Sequence, residues 1–425
     1  MAALWRTLSD TFTSITTPTV LRPVALVVAV VWLGSFVFHQ TRASGNLDPR
    51  GAAVGGDFLV FYAAGEIVRS GRGGRLYDPE VQREAQAPVL GGQRLGLYYF
   101  INPAPFALPY ALLALLPFRV AFLLHAALML LLALWGLRAL RPHLPVLQRA
   151  WRTTLLLGVS SFPLVHTILG GQNAALALAL LCLAYAALQA GNDVRVGLSL
   201  GLLLYKPQYA ATLLLLLATR RRWTPVAVAG ALGLGLYVAG ALACGWDWPL
   251  RMMQSMGGFY RAHERVANGP THIAMLEVIE WSLLLPLERG GAPAALTLSL
   301  RAAAWLGVGA VLAAVVWRWR DAAPGGARFS LHFALAASAT LITSLHAQYY
   351  DAALLLLPVL LLVDHHSVDP RTVGGGTRAV LVLVYVIFPL LILGHLSLVI
   401  RFQPAALIPV GVAAWAWRSL RGGRA

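Results

Sequence analysis

The sequence predicts an all-α integral membrane protein: a polytopic bundle of about twelve transmembrane helices, forming a single domain over residues 1–425. Two large outer-side loops with short interfacial helices, 41–99 and 244–293, complete it. Three observations lead there. The chain of 425 residues is 58% hydrophobic and only 12% charged, about half the charged share of a soluble protein. Its apolar residues fall in blocks long enough to cross a bilayer. The segments between the blocks are too short to bury a large core alone. The net charge of +16 reflects arginine in loops facing anionic lipid. No aromatic–basic platform or zinc spacing accompanies it, which argues against nucleic acid. Cys182 and Cys244 sit in apolar blocks and read as buried thiols.

Taken in order, the first span is Leu21–Phe38. Arg6 and Arg22 at its start place the N-terminus in the cytoplasm. No small-residue cleavage site follows, so the span is retained. The first outer loop holds a short amphipathic helix opening at Asp57 and a second one after Leu76-Tyr77-Asp78-Pro79. A Pro-rich span, kinked or partly unwound at its start, ends at Pro117. Phe118–Leu140, Trp151–Leu169, Asn173–Gln189 and Val194–Thr219 follow, the last interrupted at Lys206-Pro207-Gln208. Arg220-Arg221-Arg222 marks the cytoplasmic side. After Pro225–Ala243 comes the second loop, then Ala294–Trp317, Phe329–Leu345, Ala352–Val363, Arg378–Ile400 and Pro404–Trp417. Twelve spans leave the arginines of Arg138–Arg152 outside, against the usual bias. Ten spans with two re-entrant pairs obey it. Both counts keep Asp57, the second loop and His346 on the outer side, and both termini inside.

Ionisable groups in or at a membrane are costly and mark candidate sites. With Asp57 at zero degrees on the helical wheel, Phe61, Ala64 and Val68 share its face, while Glu66, Arg69 and Ser70 lie opposite. Asp57 therefore faces an apolar layer, where it can serve as a base. It is also well placed to cap its helix. A cap lowers basicity and an apolar wall raises it. Lys206 either snorkels to the interface or binds an anion at the helix break. His346, Tyr349, Tyr350 and Asp351 crowd one outer turn, as packed and belt residues or as a functional cluster. In the second loop Arg261, His263, Glu264, Arg265, His272, Glu277 and Glu280 read as the charged face of an interfacial helix, with Arg261 and Arg265 as candidate phosphate contacts. Tyr62, Tyr77, Asn102, Gln172 and Asn173 are candidates for acceptor or loop support. No HxxxH, HExxH, Walker or dinucleotide pattern occurs, so neither metal nor cofactor is expected.

The segments GGDFLVFYAAG, LYDP, YYFINPAPFALPYALLALLP, GGQNAAL, GLSLGLLLYKPQ with the triple arginine, and SLHAQYYDAALLLLP together resemble the family 87 glycosyltransferases. These are GT-C membrane enzymes similar to the polyprenyl-phosphate-mannose-dependent mannosyltransferases. The resemblance implies inverting transfer of a sugar, usually mannose, from a polyprenyl-phosphate donor to a glycolipid or glycan hydroxyl. The expected setting is the outer face of a bacterial-type plasma membrane. The family's catalytic carboxylate falls on Asp57 and a histidine on His346. Lys206, Tyr349, Tyr350 and Asp351 join the expected donor-phosphate set. Two other classes compete: a flippase for lipid-linked saccharide, favoured by the broken helix, and a ligase using a lipid diphosphate. Membrane lipid is the expected surrounding, and the sequence does not set an oligomeric state.

Overall fold

The computed structural model describes residues 18–49, 51–92, 96–263, 272–367 and 402–421. Every named element among them is a helix, with three isolated bridges in the loops. Among the described residues, four helices are long and apolar enough to cross a membrane: Leu21–Thr41, Phe118–His143, Trp223–Cys244 and Ala294–Trp319. Their apolar side chains are largely exposed. Val27, Val31 and Leu33 of the first are 62% exposed, and Leu306 of the last is 75%. Apolar surface on this scale needs a lipid surrounding.

The core lies between shorter helices. Ala174–Gln189 is buried on nearly every side and packs against Phe118–Leu140 and Asp193–Leu202. Phe329–Ile342 is buried throughout and packs against Leu356–His366 and Leu407–Arg421. A helix apolar on all faces belongs in such a position.

Three expected spans are interrupted. Trp151–Leu169 divides into Trp151–Ser160 and Phe162–Leu169, with Ser161 extended between them. Pro163 lacks the N–H that a continuous helix would use. The Pro-rich stretch forms a 3-10 turn, Ala104–Ala107, and a short helix, Leu108–Leu113; its helical part is too short to span. Val194–Thr219 breaks at Lys206. The expected span Arg378–Ile400 lies outside the described residues, as does Arg265. Of Arg261 only the helical backbone, within Trp248–His263, is described.

Candidate active site

The first loop meets the rest of the protein through two glycine pairs. Gly55 and Gly171 adopt φ of +78° and +70°. A Cβ on Gly171 would stand 2.2 Å from the Gly55 carbonyl oxygen and 2.6 Å from the Phe58 nitrogen. Only glycine allows that approach. The Asp57 N–H donates to the Gly170 carbonyl at 3.0 Å. Gln172, two residues on, donates its side-chain amide to Asp57 Oδ2 at 2.7 Å.

Asp57 stands at the start of helix Phe58–Arg69 but makes no capping bond. Its backbone, at φ −69° and ψ −9°, is helical, whereas a cap needs an extended residue to fold the carboxylate back. Asp78 shows the contrast: it is extended and accepts the Glu80 N–H at 2.9 Å. Freed from capping, Asp57 is partly buried in a protein wall. Burial raises its pKa, while the Gln172 hydrogen bond and the Lys206 charge pull it down; the net shift is upward. On the same helix Phe61 and Ala64 are buried, while Glu66 and Arg69 pair outside at 2.8 Å.

Lys206 is set by the helix break. Pro207 opens the next helix, where its missing N–H costs nothing, and the residue before it is forced out of helical geometry, to φ −125°, ψ 76°. Lys206 is 8% exposed and does not snorkel. Its Nζ donates to Asp351 Oδ1 at 2.6 Å and lies 5.7 and 5.6 Å from the ring centres of Tyr209 and Tyr350. The other Asp351 oxygen accepts the Gln348 N–H at 3.1 Å and so starts the turn Tyr349–Leu355. Thr167 holds that turn by donating to the Tyr350 carbonyl at 2.9 Å.

A cavity of about 1330 Å³ joins these groups. Asp57, Gln172, Lys206, His346, Tyr349 and Tyr350 form its polar wall. Ala211, Leu215, Met252, Met253, Leu312 and Leu345 form an apolar one. Leu215, Met253 and Leu345 are also 42%, 66% and 54% exposed. The first loop contributes Arg83, Tyr98 and Tyr99, and the Pro-rich stretch after it Asn102.

Some expected site residues stand elsewhere. Asp351, grouped with the phosphate contacts, does not line the cavity; at 1% exposure it is the counter-ion behind Lys206. The Tyr62 hydroxyl donates to the Leu116 carbonyl at 2.8 Å and the Tyr77 hydroxyl to the Asn102 carbonyl at 2.7 Å. Both tie the first loop down, away from the cavity wall. Asn173 is fully buried, and its carbonyl accepts from the Tyr205 hydroxyl at 2.8 Å.

His272 and Glu277, expected on a charged outer face, are buried instead, at 5% and 4% exposure. Glu277 is the centre of the group. Its Oε1 meets His346 Nδ1 at 2.6 Å, its Oε2 accepts the Ala347 N–H at 3.0 Å, and His272 Nδ1 lies 3.3 Å from Oε2. A sequence signal existed: a single carboxylate inside the apolar run Ile273–Ile279, where only a paired charge is tolerated. Burial alone would raise the Glu277 pKa. The His346 charge and hydrogen bond, with His272 nearby, outweigh that and hold it at about 2. Burial pulls His346 down, but Glu277 outweighs it, and the net shift is upward. The nitrogen and oxygen atoms of His272, Glu277 and His346 lie within 4.8 Å of one another, a donor set that can hold a metal ion. The spacing argument missed it because the residues meet only in space. As folded, both Nδ1 atoms face the carboxylate at hydrogen-bonding or ion-pairing distance.

The sequence profile described as glycosyltransferase family 87 matches residues 100–345. No curated protein and no solved structure matches the chain. The matched segment includes Gln172, Lys206 and Glu277; Asp57 and His346 lie outside it and enter through the cavity they share with it. Covering more than half of the sequence, the match agrees with the helical membrane fold, and the chain belongs to glycosyltransferase family 87.

Proposed function

We propose that the protein transfers a sugar, mannose if it follows the enzymes it resembles, from a polyprenyl-phosphate donor to a hydroxyl of a glycolipid or glycan, with inversion. The bundle has twelve spans in this reading, and the cavity faces the outer side of the membrane. The observation that carries it is the cavity itself: a carboxylate with raised pKa and a buried cation line one cavity together with apolar side chains that are themselves exposed.

The chemistry follows from the donor. A polyprenyl phosphate is a good leaving group and needs no acid. Asp57 takes the proton of the acceptor hydroxyl as its oxygen attacks the anomeric carbon. The new C–O bond forms on the face opposite the phosphate, which inverts the centre. The bond to phosphate breaks with its electron pair going to the phosphate, beside Lys206 and His346, whose charges offset the developing anion. The isoprenoid tail lies along Leu215, Met252 and Leu312. Neither a metal nor a nucleotide enters this scheme.

The test is purified protein with polyprenyl-phosphate mannose and a membrane lipid extract, with mass spectrometry of the products. Asp57→Asn lowers turnover by about a thousandfold, within the range for loss of a general base, and leaves donor binding within a few-fold. Wild-type turnover in that variant refutes the assignment. Movement of labelled lipid-linked sugar without an acceptor would indicate a flippase, and product from lipid-diphosphate donors alone a ligase.

A further inference from the structure

We infer that Glu277 is a positioning residue that fixes two imidazoles, His346 and His272, as a paired clamp on the donor phosphate. This rests on the lipid-phosphate reading above. Glu277 presents a separate oxygen to each ring: Oε1 lies 2.6 Å from His346 Nδ1, and Oε2 lies 3.3 Å from His272 Nδ1. With Nδ1 turned to the carboxylate, Nε2 is on the opposite edge of each ring, and both rings line the cavity. The ring centres are 5.9 Å apart, close enough for one phosphate to address both through hydrogen bonds of about 2.8 Å.

The two rings are held from behind as one unit. Ile273 N–H donates to the Ala347 carbonyl at 2.8 Å, and Ala347 N–H donates back to Glu277 at 3.0 Å. His272 stacks on Trp281 at 5.5 Å and 16°, and the His346 ring meets Phe259 edge-on at 6.1 Å. Gln208 and Ser344 both donate to the His346 carbonyl.

The charged groups around the rings fall into two pairs of contacts. Among the described residues, Glu277, His272, Asp351 and Lys206 are ionisable groups that face His346. Lys206 and Asp351 form a pair of their own at 2.6 Å. Glu277 is shared by the two rings, one oxygen to each. A carboxylate bonded to Nδ1 of His346 also fixes that ring's orientation and tautomer.

The experiment measures donor KM and kcat for polyprenyl-phosphate mannose across pH in wild type, Glu277→Gln and His272→Gln. Glu277→Gln raises donor KM about tenfold, the scale of one charge-assisted hydrogen bond, and leaves kcat within a few-fold. The alkaline limb of its kcat/KM profile moves to lower pH, because His346 loses the anion that keeps it protonated. His272→Gln raises donor KM without that shift. Unchanged donor KM in both variants overturns the clamp. Lost kcat at unchanged KM overturns it too, as would stoichiometric zinc in the wild type that Glu277→Gln abolishes. If Glu277→Gln fails to fold in detergent, His272→Gln decides alone. Wild type that uses no lipid-monophosphate sugar is a separate result: it removes the underlying reading, and the clamp with it.

Discussion

The Lys206–Asp351 pair offers a perturbation whose size follows from burial. The two side chains are 10% and 1% exposed and their charged atoms are 2.6 Å apart. Replacing Asp351 by Asn leaves a buried ammonium without its counter-ion. Breaking such a pair by removing one partner costs roughly 3–5 kcal/mol. Loss of the carboxylate also weakens the start of the turn Tyr349–Leu355, where it accepts the Gln348 N–H; a lost cap costs about 1 kcal/mol. Asp351→Asn is therefore expected to unfold in detergent at clearly lower temperature than wild type. The double variant Lys206→Met with Asp351→Leu removes both charges and keeps apolar volume, an exchange that is often neutral or stabilising. It should regain most of the lost stability. Its donor KM should nevertheless stay elevated at least tenfold, because the ammonium that meets the phosphate is gone. Thermal unfolding followed by tryptophan fluorescence gives the first quantity and donor titration the second. An Asp351→Asn protein as stable as wild type refutes the buried pair. A stable double variant with wild-type donor KM refutes a role for Lys206 in phosphate binding.

Other outcomes follow from the same geometry. Gln172 lowers the Asp57 pKa through its 2.7 Å hydrogen bond. A base works only when deprotonated, so activity falls as pH drops through that pKa. Gln172→Leu raises the pKa further and moves the acid limb to higher pH by about one unit; an unmoved limb in a pH–rate profile contradicts this. Gly171→Val places a side chain in a left-handed conformation and against the Gly55 carbonyl. It should cost more than ~2 kcal/mol and separate Gln172 from Asp57, read as lower thermal stability with lower turnover. Glu66→Gln breaks only the exposed pair with Arg69. It should change stability by less than about 1 kcal/mol and leave turnover unchanged, which the same two assays check.

Much of the local structure was legible. The helical repeat placed Phe61 and Ala64 inside and the Glu66–Arg69 pair outside, because side-chain direction in a helix depends on spacing alone. Pro207 announced the break at Lys206, since its ring excludes the preceding residue from helical geometry. Phe118–Leu140 coincides with its expected span. The capping expectation at Asp57 failed because Gly170, 113 positions further along, takes the Asp57 N–H and the backbone there is helical. Glu277 was assigned to solvent because charge composition says nothing about which charges find partners.

The amino-acid order determined a helical membrane protein, the positions of its longest helices and the families of residue able to act as base or cation. Those properties depend on composition and on contacts within a turn or two. Only the tertiary structure decided that Gln172 meets Asp57, that Asp351 rather than solvent answers Lys206, and that Glu277 holds His346. Each of these pairs joins segments far apart in the chain. Their burial, which sets whether a carboxyl becomes a stronger base or a fixed anion, exists only once the helices have packed.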